Sequence, residues 1–528
     1  MLRHHASVSV LSFAAILGAA LCGPRAQAAV AESWRLSLAR FAPARVLIDA
    51  SGTILACGTQ VNSAGTGSAM AVYAYTATGQ PAWSWTSGTT TDAVADAALD
   101  PQGNIVLAGT RGPSWRVVKV SGVAGSGGGH AQLWGTTYVP QGQSIADDAV
   151  YRCVVDASGR VYVAGYSLGD VSYDARIAQF SASGAPTWTR TRGASERWDR
   201  FQDLALDAAG NVYAAGEVGL SEVDDRPRFA VFAFDPAGGE RWSRSYLGTW
   251  TDPDASGPFE TGTAWNIGVG ADGAVYASGL VTDDREYNDI FLAKFSSAGA
   301  VQWTRQWNGV NDGLYDRAYA MALATVGGQA RVYLTGETFS NVGWDYFNIP
   351  TLAYDGGGSL LWSDIFNSPD TGNDSEDVSD NILVDGAGRI VTIGSDWTKP
   401  GYDTVVRVFS PGGQLLAQSA VDVPSVEYNV HGERCAALTP DGKLVYLAKS
   451  GGFGALVPGA AQLALLDLGL PATACAADFN ASGALSTQDI FDFLNAWFAG
   501  SAAADFNGVD GLGTQDIFDF LNAWFAGC

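Results

Sequence analysis

The sequence predicts an all-β chain, an eight-bladed β-propeller closed by its own N-terminal strand, followed by a small all-α unit of two loop-helix repeats. Three observations carry that reading: a strand-turn-strand phrase recurs eight times, the last copy is one strand short while the N-terminus has one to spare, and the periodicity changes after Leu468. Composition agrees. Gly (65 of 528 residues) and aromatics (11%) are frequent and charged residues are only 16%, the profile of a turn-rich chain with an extensive core. With 54 acidic against 30 basic residues the formal charge is −24, which excludes a nucleic-acid binder held by phosphate neutralisation.

Residues 1–28 read as a signal peptide, with Arg3, an apolar run from Val8 to Cys22, and Ala26-Gln27-Ala28 before the expected cut. The chain is therefore expected to be secreted or held at the cell surface, where disulfides are permitted. No later stretch approaches the ~20 apolar residues of a membrane span.

The propeller is expected over residues 29–468. Its phrase is an apolar strand, an Asp-x-x-Gly turn and a β-branched strand ending in Gly: Asp49 to Gly58, Asp100 to Gly109, Asp156 to Gly165 and Asp207 to Gly216. Looser copies end at Gly279, Gly336, Gly394 and Ala448. Between copies lies a second phrase, a Gly turn followed by a Trp strand: Gly79/Trp83, Gly184/Trp188, Gly238/Trp242, Gly299/Trp303 and Gly358/Trp362, with Trp134 one residue out of step and Ala417 replacing Trp in the seventh. Four short alternating strands per ~55 residues describe a propeller blade. Over roughly residues 33 to 468 the phrase resembles the repeat of the seven-bladed β-propeller family of bacterial extracellular proteins, here in eight copies. In the last blade Cys435 to Leu438, Leu444 to Ala448 and Gln462 to Asp467 make three strands, and Trp34 to Leu38 is expected to supply the fourth, removing two unpaired edges.

The Asp-x-x-Gly and Gly-Trp turns share one face, and the opposite face carries long, variable loops in which the acidic residues concentrate. A rigid scaffold presenting variable loops suits binding. Aromatics accompany the acids (Tyr173 with Asp174, Trp250 with Asp252, Tyr287 with Asp289, Trp344 with Asp345, Tyr402 with Asp403), a pairing that fits a glycan, a cation such as Ca²⁺, or simply a turn with Asp capping backbone amides. Asp252-Pro-Asp254-Ala-Ser256-Gly257 begins like a Ca²⁺ loop but has Thr263 where an acid belongs, and an ordinary acidic loop is the simpler reading.

Catalytic signals are sparse. After the signal only His130 and His431 remain, which nearly excludes histidine-based metal sites and most triads. Gly165-Tyr-Ser167-Leu-Gly169 matches the nucleophile elbow in letters but follows a strand with a loop, not a helix. The Gly-x-x-x-Trp turns are similar to the tryptophan-docking repeats of eight-bladed quinoprotein dehydrogenases. That family typically stacks its quinone on an adjacent cysteine pair, and this chain has none.

After a linker at 469–474, residues 475–528 hold a tandem duplication in which Gln488 to Gly500 repeats identically as Gln515 to Gly527. Ile490, Phe493, Leu494, Trp497 and Phe498 follow helical spacing, and Gly500 is placed to end the helix. The loop before the first helix offers side chains of Asp478, Asn480, Ser482, Ser486 and Asp489 and the Ala484 carbonyl, an oxygen set for a hard cation with Gly483 at the bend. The second loop offers Asp505, Asn507, the Gly511 carbonyl and Asp516, but has Val509 at the fifth position and Gly513 at the ninth. Either Asp510 swings in or this second site is weaker. The module resembles a dockerin domain of the type that ends in Gly-Cys. The resemblance implies two Ca²⁺ sites and docking to a cohesin-like or cell-surface partner through Thr487, Gln488, Thr514 and Gln515. Phe491 and Phe518, off the apolar stripe, are either exposed anchors or part of the core. Cys475 and Cys528 bracket the unit and are expected to form a disulfide; Cys57, Cys153 and Cys435 read as buried thiols, with a Cys57–Cys435 bridge as the lesser possibility.

Together these features point to an exported, non-catalytic binding or scaffold propeller with a calcium-binding tail. A propeller enzyme or accessory protein of extracellular polysaccharide degradation is one alternative, and a purely structural surface protein another.

Overall fold

The computed structural model describes residues 30–88, 91–125, 128–139, 148–169, 172–193, 199–219, 227–248, 262–282, 287–309, 315–339, 347–368, 377–398, 401–421, 434–449, 461–470, 477, 479, 487–501, 504–506 and 512–526. Within them are eight four-stranded antiparallel sheets, the blades of a propeller. The inner strands of blades 1 to 8 are Phe41–Ile48, Asp92–Leu99, Ala149–Val155, Arg200–Leu206, Gly262–Val269, Asp316–Val326, Val378–Val384 and Ala436–Leu438. Each packs on the inner strands of its two neighbours, so the ring closes.

Blade 8 takes its outer strand from the far end of the chain. Ala31–Leu38 pairs antiparallel with Ala461–Asp467, from Ala31 opposite Asp467 to Leu38 opposite Ala461. The strand count therefore reads the closure correctly. Both edges that an open ring would leave bare are paired.

The two repeated phrases have distinct physical jobs. In the Asp-x-x-Gly turn the carboxylate caps the backbone: Asp49 Oδ1 accepts the amides of Ser51 (2.8 Å) and Thr53 (2.9 Å). Asp100, Asp156, Asp207 and Asp385 do the same in their blades. The glycine that ends the second strand answers a different need. In blades 1 to 7 the inner strand bulges opposite it, as the register shift between Val94 and Asp96 shows, and a Cβ on Gly58, Gly109, Gly165, Gly216, Gly279, Gly336 or Gly394 would lie 1.9–2.3 Å from an inner-strand carbonyl oxygen. Only glycine lets the two backbones approach so closely.

Each outer-strand tryptophan acts on the following blade, not on its own. Trp34 of blade 8 lies over Gly79 of blade 1 and donates its indole N–H to the Ala77 carbonyl at 3.0 Å. A Cβ at Gly79 would come within 2.8 Å of the ring. Trp134, Trp188, Trp242, Trp303 and Trp362 repeat this on Ala182, Pro236, Ser297, Gly356 and Pro411 of the next blade. In blade 1, Trp83 instead stacks on His130 of blade 2, with ring centroids 3.7 Å apart, and His130 Nδ1 lies 2.8 Å from the Ser121 carbonyl oxygen. That accounts for one of the two histidines beyond residue 28.

The core consists of apolar layers between successive blades, for example Phe229, Phe291 and Phe295. Cys57, Cys153 and Cys435 are buried free thiols, so the Cys57–Cys435 bridge does not form. Burial pushes Cys57 up to about 12 and Cys153 well above the usual thiol range, leaving both unreactive at neutral pH.

If Trp34 locks blade 8 to blade 1, Trp34→Ala and Gly79→Ala should each destabilise the ring, and their effects should couple by about 1–2 kcal/mol because the alanine clash disappears with the indole. Denaturant unfolding of the two single variants and the double variant checks this; strict additivity would remove the docking role. Deleting residues 29–40 should lower the melting temperature further still.

Candidate functional site

The residue after each inner-strand bulge forms a belt around the central channel: Arg45, Asp96, Arg152, Asp203, Asn266, Ala320 and Asn381 from blades 1 to 7. Arg45 pairs with Asp96 at 3.3 Å, and Arg152 with Asp203 at 2.9 Å. The carboxylates also tie blades together through backbone amides, Asp96 accepting from Cys153 (2.9 Å) and Asp203 from Ile267 (3.0 Å). Arg434 of blade 8 spans the channel to Asp203 of blade 4, the blade facing it, at 2.8 Å. The attraction of Asp203 raises the Arg434 pKa, but burial and the nearby Arg152 and Arg45 outweigh it and bring it down to about 10.

From this belt a cavity of about 620 Å³ runs along the second half of the inner strands toward the Asp-x-x-Gly face. Its floor includes Arg45, Arg152, Arg434, Asn266 and Asn381, and its walls include Leu47, Ile48, Val269, Met321, Leu323 and Leu438. Asp380 also lines it, held by Asn381 Nδ2 at 2.8 Å, and burial raises its carboxyl to about 7.

Sequence reading missed these residues, although they carried a signal. In blades 1 to 5 and 7 each belt residue stands at one fixed distance before the glycine ending the second strand. A second recurrent position lies four residues earlier, where Asp92, Asp148, Asp199, Asp316 and Asp377 are buried at the loop-face end of their blades. Arg111 grips Asp92 at 2.6 and 2.9 Å, and the amides of Leu168, Gly219, Gly309 and Ser368 cap the other four at 2.6–3.1 Å. Burial, with smaller contributions from Asp289 and Glu337, holds Asp316 up at about 7 against hydrogen bonds from Thr338 and Gly309.

The loop face itself was expected to be functional. Most of those long loops, including Trp250 and the Asp252 to Glu260 segment, Trp344 and Asp345, lie outside the described residues. Of the aromatic-acid pairs that are described, Asp289 is buried and bonded to Gln306, while Tyr287 packs edge-on against Tyr315 and Tyr173 against Tyr166. Asp289 is thus engaged within its own blade, whereas Tyr287 stays partly exposed beside Tyr315. Ser167 is fully buried within a strand, so it is no nucleophile elbow. Among the described residues no three His, Cys, Asp or Glu side chains converge to hold a metal.

The tail contributes helices α1 (Thr487–Phe498) and α2 (Thr514–Ala526). Phe493 and Phe520 stack in parallel at 4.1 Å, with Phe479 and Phe506 packed edge-on around them, so the two copies meet at equivalent positions. Asp489 and Asp516 are buried in the first turns. Thr487, Gln488, Thr514 and Gln515 are exposed, and Gln488 and Gln515 each bond the Asp four residues on, at 2.9 Å. Phe491 and Phe518 are 59% and 61% exposed, which settles their position outside the core. Phe498 is 77% exposed, a correction to the apolar stripe: it is the last residue of α1, and its ring packs edge-on against Trp497 of the same turn. Asp478, Asn480, Ser482, Ala484, Ser486, Asn507, Gly511, Cys475 and Cys528 lie outside the described residues, as do residues 1–28 and His431. No helix among the described residues is long and apolar enough to cross a membrane.

No protein-family model matches the chain, and no curated protein matches it. Among solved structures it is similar to the Dos1 propeller (10% identity, 73% of this chain and 96% of that one, TM-score 0.42). It is also similar to polysaccharide lyase Uly1 (11% identity, 73% and 94%, TM-score 0.41). A third is the β-propeller domain of the Trilobed protease from Pyrococcus furiosus (10% identity, 70% and 93%, TM-score 0.37). These neighbours include enzymes, and at such identity none of them shows what this chain does.

Two outcomes follow. Asp203→Asn leaves Arg152 and Arg434 without their shared counter-charge inside the channel and should cost about 3–5 kcal/mol in chemical unfolding. Asp316 holds its proton more tightly folded than unfolded, so its contribution is full below about pH 4 and is lost as pH rises through about 7. Asp316→Asn cannot titrate; the melting-temperature difference, variant minus wild type, should therefore rise between pH 4 and pH 8, and a flat difference would contradict the assignment.

Proposed function

We propose that the chain is an exported binding or scaffold protein whose propeller is anchored to a partner by a calcium-loaded, dockerin-like tail. The observation that carries this reading is in the second loop-helix unit: Asp505 Oδ1 is buried and has no hydrogen-bond partner among the described residues. An orphaned carboxylate oxygen is costly in a protein interior unless a cation satisfies it. Asp505 is the first position of the oxygen set, and Asp516, buried at the last position, belongs to the same set.

The residues present fit a hard cation. Asp478, Asn480, Ser482, the Ala484 carbonyl, Ser486 and Asp489 would hold one ion, and Asp505, Asn507, the Gly511 carbonyl and Asp516 a second, more weakly. Calcium would screen the carboxylates and fix each loop to its helix, and the Phe493–Phe520 stack would hold the two units together. The pair then presents Thr487-Gln488 with Phe491, and again Thr514-Gln515 with Phe518, as two equivalent exposed surfaces. A disulfide between Cys475 and Cys528 would close the module and add ~2–4 kcal/mol.

Calcium titrated into the chelator-treated full chain should raise helical circular dichroism and bind at two sites of unequal affinity, with the weaker one lost in Asp505→Ala. No uptake at all would overturn the reading. Against a panel of immobilised cohesin modules, Thr487→Ala with Gln488→Ala should leave most binding, as should Thr514→Ala with Gln515→Ala, whereas the fourfold variant should lose it; loss from one pair alone would show that only one surface docks.

A further inference from the structure

The channel cavity has the anatomy of a ligand site, with a few charged groups at one end and apolar walls at the other. Among the described residues its charge is unbalanced. Both oxygens of Asp203 are taken, by the amides of Leu204 and Ile267 and by Arg152 and Arg434, while Asp96 accepts from Cys153 and Arg45. Three guanidinium groups thus face two carboxylates that the scaffold already saturates. Arg434 has 40% of its side chain accessible and Arg45 20%, and both line the cavity. The remaining titratable groups in the lining do not restore the balance at mildly acid pH: Asp380 is held toward its neutral form below about 7, and the Tyr319 hydroxyl donates to Glu337. In a chain of formal charge −24 this is an enclosed cationic spot.

We propose that the channel binds a small organic acid with one negative charge and an apolar body, its anionic group on Arg434 and Arg45 and its body against Leu47, Ile48, Val269, Met321, Leu323 and Leu438. Among the described lining residues the one aromatic, Tyr319, is 2% exposed with its hydroxyl on Glu337 and so is no open platform for a sugar face, and about 620 Å³ holds a ligand of drug-like size. The proposal concerns the propeller alone and does not depend on the calcium reading of the tail.

Calorimetry on the full chain at pH 6 tests it with octanoate and octanesulfonate as anionic probes, and with 1-octanol and octylammonium as neutral and cationic probes of equal length. Both anions should bind at least tenfold more tightly than the other two, and octanesulfonate, which does not titrate in this range, should weaken from pH 6 to pH 8 as Asp380 ionises. Arg434→Met should remove the preference for the anions. Met321→Trp, which fills the apolar part and leaves the arginines in place, should abolish binding of all four, so the test survives if Arg434→Met fails to fold. Octanol binding as tightly as octanoate, anion binding unaltered by Met321→Trp, or no binding by any probe would each overturn the proposal.

Discussion

Seven of the eight junctions around the ring depend on an outer-strand indole lying on the next blade. An outer-strand tryptophan contributes a flat apolar face, which needs a glycine beneath it, and one N–H donor, which needs a carbonyl at the right height. Gly79, Gly184, Gly238, Gly299, Gly358 and Gly413 supply the first requirement. Because the contact sits at the rim, a small change there would swing each blade about its inner strand and alter the width of the channel. The one contact in which a histidine replaces glycine keeps the ring-on-ring distance short, and in the blade with Ala417 instead of tryptophan that alanine joins the apolar layer shared with blade 8.

At the centre the same precision is turned to charge. In blades 1 to 7 the residue after the inner-strand bulge joins the belt, and in the first four blades those residues are Arg, Asp, Arg and Asp. Burying such groups is unfavourable in itself, and a hydrophobic belt would cost less. The carboxylates compensate by binding the backbone of the following blade, so Asp96 and Asp203 serve as much to position Cys153 and Ile267 as to neutralise arginines. The neutral half of the belt, Asn266, Ala320 and Asn381, leaves the space that the charged half fills.

Much of the fold was legible because each blade repeats its own punctuation. Asp49 with Gly52 and Gly79 with Trp83 mark turns and strands, and counting strands assigns Trp34 to the last blade. What the letters could not convey is which blade a side chain serves. Gly79 and Trp83 look like one motif, yet Gly79 receives Trp34 and Trp83 reaches His130. The Arg434–Asp203 pair is visible only once the ring brings opposite blades face to face. Helical spacing in the tail was sound for Phe493 but overreached at Phe498, because periodicity says which side a residue occupies and not whether it is covered there. The acidic loops, read from composition as the functional face, lie mostly outside the described residues, and composition hides the channel because its few charges are spread across blades.

The shared last blade also sets the order in which the molecule is made. Ala31 leaves the ribosome first among the propeller residues, and its partner Asp467 emerges only after all the intervening blades. Until then the outer strand has no ladder to join and the first blade lacks its Trp34 contact. Contacts of such long sequence separation are slow to form, since the loop they close must be ordered first. Seven blades must therefore wait as an open arc with exposed strand edges, a state in which pairing with another chain competes with closure. A molecule built this way depends on chaperoning or on rapid completion of synthesis in proportion to the length of that wait, and an interruption near blade 8 would be far more damaging than its small size suggests.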